Sequence, residues 1–391
     1  MENSRKIVVA GHICLDIIPR WVKGNLFDLV PGHLLEMDGI SLSTGGVVSN
    51  TGIDLKKLGF DVLLLGKVGD DYFGKIVLDI LRREGEEIVE GMIISPGETT
   101  SYSIVLNPPG TDRIFLHCPG ANNTFSDGDI PYEKLKDAFI FHFGYPPLMR
   151  QFFIDDGVHL KNMFEKVKEM GVITSLDMAM PDPNTDAGKT DWIKVLENVL
   201  PYVDIFLPSI DELLYMIDRE NFEKLNKATA KEEVITGDLL SNLSDKLLDM
   251  GSKINVIKLG NQGLYLRTSD KEAFKATALD KAIDVSLWSN KELMAPCFDA
   301  PVIGTTGSGD ATIAGFLAAI TQGTSPEMAI KIAIGVGSFS VGSIDATGGI
   351  RPLSEVLHRI REGWACMPLN ISHEGWIHKD FYGDIFLKDF S

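Results

Sequence analysis

The chain has 391 residues, 44% of them hydrophobic and 24% charged, and 37 Lys and Arg stand against 55 Asp and Glu for a net charge of -18. That composition belongs to a soluble globular protein with ample material for a core, and the acidic excess repels nucleic acid and acidic membrane surfaces, so neither partner is expected. Residues 1 to 6 are polar and lead straight into Ile7, no apolar run is long enough to span a bilayer, and Cys14, Cys118, Cys297 and Cys366 are scattered without metal-ligand spacing. A cytoplasmic protein with reduced thiols is expected.

Lys6 to Ala10 is an apolar run that predicts a buried parallel strand, and Asp16 follows shortly after its C-terminal end. Ligands of open α/β sheets collect at such ends, and a carboxylate there can accept several hydroxyl hydrogen bonds. Residues 17 to 44 carry the turn signals Pro31-Gly32 and Asp38-Gly39 between short apolar stretches. A second strand-like pair, Thr99 to Leu106 and Arg113 to Cys118, is split by Asn107-Pro-Pro-Gly110. Neither pair reads as a βαβ unit. Thr51 to Leu58 predicts a helix, Val62 to Leu65 a strand and Tyr72 to Glu84 a helix, so by residue 90 strands and helices alternate as in an α/β fold. Phe139 to Phe143, Ile173 to Leu176 and Ile205 to Leu207 continue the parallel sheet, with the amphipathic segment Lys161 to Met170 after the first run. His142 and Tyr145 end that first run facing the expected crevice, but a histidine in a strand is more often a packing residue, and neither is counted as catalytic. Residues 218 to 250 mix Lys and Glu in a polar helical stretch that reads as a solvated surface elaboration. Asn255 to Lys258 and Leu264 to Arg267 are strands around Gly260-Asn-Gln-Gly263, a turn of a kind that is usually structural. Lys271 to Asp284 reads as an inserted segment before a strand near Leu293 to Cys297.

The most informative stretch follows. In Thr305-Thr306-Gly307-Ser308-Gly309-Asp310 the two glycines permit backbone angles that other residues avoid, so the amides of residues 307 to 310 can turn toward one anion. Ile313, Phe316, Leu317 and Ile320 recur on one face of a buried helix whose unpaired first N-H groups point the same way. Asp310 stands beside that anion hole, where a carboxylate is a poor phosphate ligand but a good acceptor of a hydroxyl proton. The combination suggests phosphoryl transfer to an alcohol; the plainer alternative is that Asp310 caps the helix and the glycines form a tight turn. Pro326 to Val341 and residues 352 to 362 are further helices. The tail from Gly363 carries Trp364, Trp376, Phe381, Tyr382, Phe386 and Phe390, too many aromatics to be left in water, so it is expected to pack on the domain or on a second subunit.

Gly304-Thr-Thr-Gly-Ser-Gly-Asp310 resembles the Asp-Thr-Thr-Gly-Ala-Gly-Asp signature of the ribokinase-like (PfkB) carbohydrate kinase family. A second family signature is matched by Gly45-Gly46-Val-Val-Ser-Asn50 with Gly59 and Gly69-Asp-Asp-Tyr-Phe-Gly74, and a third by Gly11-His-Ile-Cys-Leu-Asp16. The resemblance runs in order over residues 5 to about 362. It implies a three-layer α/β fold with a central, mostly parallel sheet flanked by helices, and a small β-sheet lid from about residues 13–42 and 99–118 that covers the sugar and often pairs in a homodimer. It implies ATP-dependent phosphorylation of a sugar-like hydroxyl, with Asp310 as base and Gly307, Ser308 and Gly309 completing the anion hole. It assigns the sugar to Asp16, Gly45, Gly46 and Asn50, and the nucleotide to Thr305, Thr306, Lys258, Gly260 and Gly263. Pro208-Ser-Ile-Asp-Glu212 resembles the family's Asn-x-x-Glu motif and implies that Glu212 organises magnesium through water, since that ion dehydrates reluctantly.

The sequence departs from the pattern at Val48, Gly52, Ser209 and Gly304. At 304 the departure removes a carboxylate that helps hold a monovalent cation, so that cofactor is doubtful; Asp345, in the loop facing that site in the resemblance, is the candidate substitute. The segment after Asp177 lacks the Asn and Arg of sugar-acid kinases, which removes support for an acidic sugar. A nucleoside kinase of the same fold and a catalytically inactive sugar-binding regulator are the two alternatives.

Overall fold

The computed structural model describes residues 5–22, 29–109, 114–275 and 277–388. In chain order its strands are β1 (Lys6–Gly11), β2 (Cys14–Trp21), β3 (Met37–Gly45), β4 (Val62–Leu65), β5 (Lys67–Gly69), β6 (Ile93–Ser95), β7 (Tyr102–Leu106) and β8 (Ile114–Cys118). They continue as β9 (Ala138–Gly144), β10 (Ile173–Leu176), β11 (Ile205–Phe206), β12 (Ile254–Lys258), β13 (Leu264–Thr268), β14 (Glu292–Ala295), β15 (Ile377–Asp380) and β16 (Asp384–Leu387). Ten of them form one sheet in the order β15-β16-β14-β13-β12-β11-β10-β9-β1-β4. From β4 to β12 every pairing is parallel; from β12 to β15 every pairing is antiparallel.

The parallel strands are apolar on both faces because both faces are covered. Ile7 and Val9 point to one core layer, shared with the Val47–Lys57, Ser308–Thr321 and Pro326–Ser340 helices. Val8 and Ala10 point to the other, with the Val158–Glu169, Ile210–Ile217 and Gly237–Asp249 helices. The architecture is therefore helix, sheet, helix. Among the described residues no helix is long and apolar enough to cross a membrane.

A separate four-stranded sheet has the order β3-β2-β7-β8. Its strands β2 and β3 begin and end beside the main sheet, with Cys14 opposite Gly45. Pro31-Gly32 forms the expected turn, Gly32 at φ 81° and the His33 N-H donating to the Val30 carbonyl, as Pro-Gly at the centre of a type II turn requires. Asp38-Gly39 does not: it lies inside β3, where the pairing register shifts between Pro19 and Trp21, and Gly39 at φ 89° takes up the extra residue of a bulge. Gly110 and Arg113 of the other hairpin lie outside the described residues.

Two further expectations are corrected. The first helix begins at Val47, not Thr51, because burial of Val47 and Val48 outweighs the weak helix preference of β-branched residues. Residues 218–250 are not wholly solvated: the Gly237–Asp249 helix buries Leu240, Leu243 and Leu247, an i, i+3, i+7 stripe that polar neighbours mask in the sequence. Beyond residue 362, Trp364 stacks on Phe298 with ring centroids 4.8 Å apart, and β16 pairs with β14 through Leu387 and Phe386. The tail thus extends the sheet, and Phe390 lies outside the described residues.

Candidate active site

The C-terminal ends of β1, β9, β10 and β12 deliver His12, Tyr145, Asp177 and Lys258 to one rim of the sheet. Onto the same rim points the start of the Ser308–Thr321 helix. Gly307 is its N-cap at φ 73°, a left-handed angle that suits glycine, and a Cβ there would also lie 2.6 Å from Ala346 Cβ. Asp310 does not cap the helix; it occupies the third helical position and is buried with 4% exposure.

Its carboxylate is reached from two directions. Asn50 Nδ2 donates to Oδ2 at 2.9 Å and Thr51 Oγ1 to Oδ1 at 3.4 Å, both from the Val47–Lys57 helix. The Tyr145 hydroxyl lies 2.8 Å from each oxygen. Burial pushes the Asp310 carboxyl above its ordinary range, and the donors from Asn50, Tyr145 and Thr51, with the charge of Lys258, pull against it. Burial, with the charges of Asp310 and Asp177, holds the Tyr145 phenol well above its usual range, so it stays a donor.

Lys258 Nζ bonds Asp177 Oδ1 at 2.6 Å. Burial disfavours this ammonium, but Asp177 and Glu212 more than offset that and raise its pKa. A Cβ at Gly309 would meet the Lys258 side chain at 3.8–4.0 Å, so the cation stands beside the helix start. Gly309 is helical, contrary to the expected special backbone angle. Nor do all four amides converge: Ser308 N-H bonds back to the Thr305 carbonyl at 3.3 Å, while those of Gly309 and Asp310 stand in the first turn, whose N-H groups a helix cannot pair internally.

The other candidates are distributed around this centre. Asp16 is on β2, and Gly45 makes room for it: a Cβ at 45 would lie 2.4 Å from Asp16 Oδ2. Gly46, at φ 93°, packs on His12, whose backbone oxygen would be 2.5 Å from a Cβ. Asn50 lies inside the helix on Asp310. Glu212 and Ser209 form a capping box, Glu212 Oε2 accepting from Ser209 N-H at 2.7 Å, so one carboxylate oxygen already serves its own helix. Gly263 is explained by the sheet, since a Cβ would lie 2.0 Å from the Ala295 carbonyl; Gly260 at φ 62° faces open space. Thr305 is exposed, and Thr306 adjoins it at the helix start. At Gly304 a Cβ would approach Ser343 O to 2.7 Å. Asp345 turns back on its own loop, accepting from Thr347 N-H at 3.1 Å, while Lys57 Nζ donates to the Thr347 carbonyl at 2.9 Å. Among the described residues no group of three or more His, Cys, Asp or Glu side chains gathers as a metal site.

Sequence reasoning overlooked Thr51, His12 and Asp177 and set Tyr145 aside. Asp177 was findable by the rule that located Asp16, a carboxylate just past a strand end. Tyr145 carried no such signal, because its left-handed backbone (φ 67°, ψ 38°) is a tertiary outcome. His12 is buried, its pKa lowered to about 3 by burial and by His117, and neither ring nitrogen has a hydrogen-bond partner among the described residues. Its ring lies 5.4 Å from that of His117 on the small sheet and 6.2 Å from that of Tyr145, so the three rings run in series from the small sheet to Asp310. His142, the other histidine at this rim, packs as expected, with Nδ1 2.9 Å from Ser175 Oγ.

A three-layer α/β body with a small sheet over the strand ends defines a class, and the comparison of folds identifies it as ribokinase-like. The structure of a fructokinase with bound ATP from Xylella fastidiosa matches with a TM-score of 0.68 at 19% identity, over 92% of this chain and 99% of that one. The model of the pfkB family of carbohydrate kinases matches residues 4–352, and the chain belongs to that family. It is similar to an uncharacterized sugar kinase of Archaeoglobus fulgidus, 25% identical over 69% of this chain and 86% of that relative. A probable fructokinase-5 of Arabidopsis thaliana is likewise 25% identical, over 82% of this chain and 84% of its own.

Proposed function

We propose that this sugar kinase transfers the γ-phosphoryl group of ATP to a hydroxyl of a neutral sugar, with Asp310 as the base. The observation that carries the reading is the buried Asp310 carboxylate in the first turn of a helix whose start adjoins the Lys258 side chain. Asp310 accepts the alcohol proton as the oxygen attacks phosphorus. The amides of Gly309 and Asp310, with Gly307 and Ser308 shaping the turn, stabilise charge on the transferred phosphoryl, and Lys258 adds a positive charge beside them. Thr305, Thr306 and the Gly260–Gly263 turn adjoin the nucleotide. Asp16, with Gly45 and Gly46 holding the backbone back from it and from His12, grips sugar hydroxyls, and Asn50 orients the base.

Magnesium fits this donor set only through water, because Asp177 is tied to Lys258 and Glu212 keeps one oxygen on Ser209. Bound with ATP, it would neutralise phosphate charge, and Glu212 would hold it at one remove. Gly304, without a carboxylate, and Lys57, already on the Thr347 carbonyl, support weak dependence on potassium. A homodimer through the small sheet is supported by the exposed Ile40, Leu42, Phe115 and Leu116. The neutral-sugar preference is supported by the buried Asp177 and Asp310 at the strand ends, with Lys258 already paired to Asp177.

A coupled ADP-release assay over ketoses, aldoses, sugar phosphates, sugar acids and nucleosides tests the reading. Turnover of neutral sugars is expected; turnover confined to sugar acids or nucleosides refutes the substrate class.

A further inference from the structure

The carboxylate of Asp310 offers about four lone-pair sites. Asn50 uses one and Thr51 another. The single O-H of Tyr145 takes a third, and its oxygen, 2.8 Å from both carboxylate oxygens, stands in front of the fourth. An acceptor alcohol therefore meets the phenol oxygen on its way to the base unless Tyr145 leaves. Asn50 and Thr51 are consecutive residues inside a helix and are fixed by its backbone. Tyr145 arrives from the opposite side, at the end of β9, and is only partly buried. Its oxygen is a hydroxyl donating to a carboxylate, the same contact a substrate alcohol would make. The ring also has a polar neighbour to turn to, since the unpartnered imidazole of His12 lies 6.2 Å away, centroid to centroid.

We propose that the Tyr145 hydroxyl holds the acceptor's place on Asp310 and yields it to the substrate alcohol, so that the base meets an alcohol and not water. The proposal rests on the reading of Asp310 as the base. It concerns a side reaction that every such base must suppress. A water at Asp310 would form an oxygen–phosphorus bond to the γ-phosphoryl of ATP as the bond to ADP breaks, its proton passing to Asp310, and the products would be ADP and inorganic phosphate. Tyr145 is thus a positioning residue that selects the nucleophile.

The test is Tyr145→Phe in the full chain, with three readouts. ATP hydrolysis without acceptor should rise by roughly tenfold or more, part of the 10²- to 10⁴-fold that a freed general base can supply. The KM for the acceptor sugar should fall, because its competitor is gone. The added hydrolysis should vanish in the Tyr145→Phe, Asp310→Asn double variant. Unchanged hydrolysis with a raised KM would assign Tyr145 to substrate binding and overturn the proposal, as would a fall in kcat alone. If the phenylalanine variant does not fold, 3-fluorotyrosine placed at position 145 serves instead: its fluorine resonance should shift when ATP and sugar saturate the site, and an unmoved resonance overturns the proposal. Hydrolysis is read without acceptor, so failure of the sugar-kinase reading appears as an empty substrate panel, whereas failure here appears as equal hydrolysis in variant and wild type.

Discussion

Asp310 combines burial, which makes it hold its proton longer than an exposed aspartate, with hydrogen bonds that keep it usable as a base. As the proposed base it would act deprotonated, so kcat/KM should fall as pH drops through a value above the ordinary carboxylate range. An acid limb at the unshifted aspartate position would contradict this. Asp310→Asn keeps shape and volume and removes the base, so turnover should fall by about 10²- to 10⁴-fold while calorimetry still detects sugar. A neighbouring carboxyl gives a stability prediction. Asp54 is fully buried on the Val47–Lys57 helix, and neither oxygen has a hydrogen-bond partner among the described residues. Burial, then the charge of Asp310, raises its pKa well above the ordinary value. The folded chain thus holds this proton more tightly than the unfolded chain, and stability is lost as pH rises from the ordinary carboxylate range through the folded-state value. Asp54→Ala should accordingly stabilise the protein by about 1–3 kcal/mol at pH 8 and by less at pH 4, measured by denaturant unfolding. A loss of stability at pH 8 would count against it.

At the scale of elements, the parallel strands and the Ser308–Thr321 helix were legible because their apolar periods are uninterrupted. The placement of candidate residues was legible where it follows local spacing, as with Asp310 at a helix start after its glycines and Asp16 shortly after β1. Less legible was what packing adds: the sequence does not show that Glu212 also closes its own capping box, or that Gly263 is demanded by the Ala295 carbonyl as well. Strands β15 and β16 escaped notice because the hairpin joins the sheet only through β16 on β14, which lies more than eighty residues upstream. Their anchor gives a test. Trp364 is buried against Phe298 and donates to the Asp299 carbonyl at 2.7 Å. Trp364→Ala should cost about 3–5 kcal/mol in denaturant unfolding, and a cost under about 1 kcal/mol would show that the tail packs only loosely.

For the whole molecule, the small sheet sets His117 beside His12 and exposes apolar side chains on its own account. Light scattering should report a dimer, and charges introduced at Leu42 and Phe115 should give monomers; a monomeric wild type would contradict the dimer. The central claim, that the protein phosphorylates a sugar and does not merely bind one, is tested most directly by phosphorus NMR of a mixture of protein, ATP, magnesium and the sugar that binds best by calorimetry. A sugar phosphomonoester resonance should grow in step with ADP and be absent with Asp310→Asn. Saturable sugar binding with no phosphomonoester formed would contradict the account and leave a sugar-binding regulator in its place.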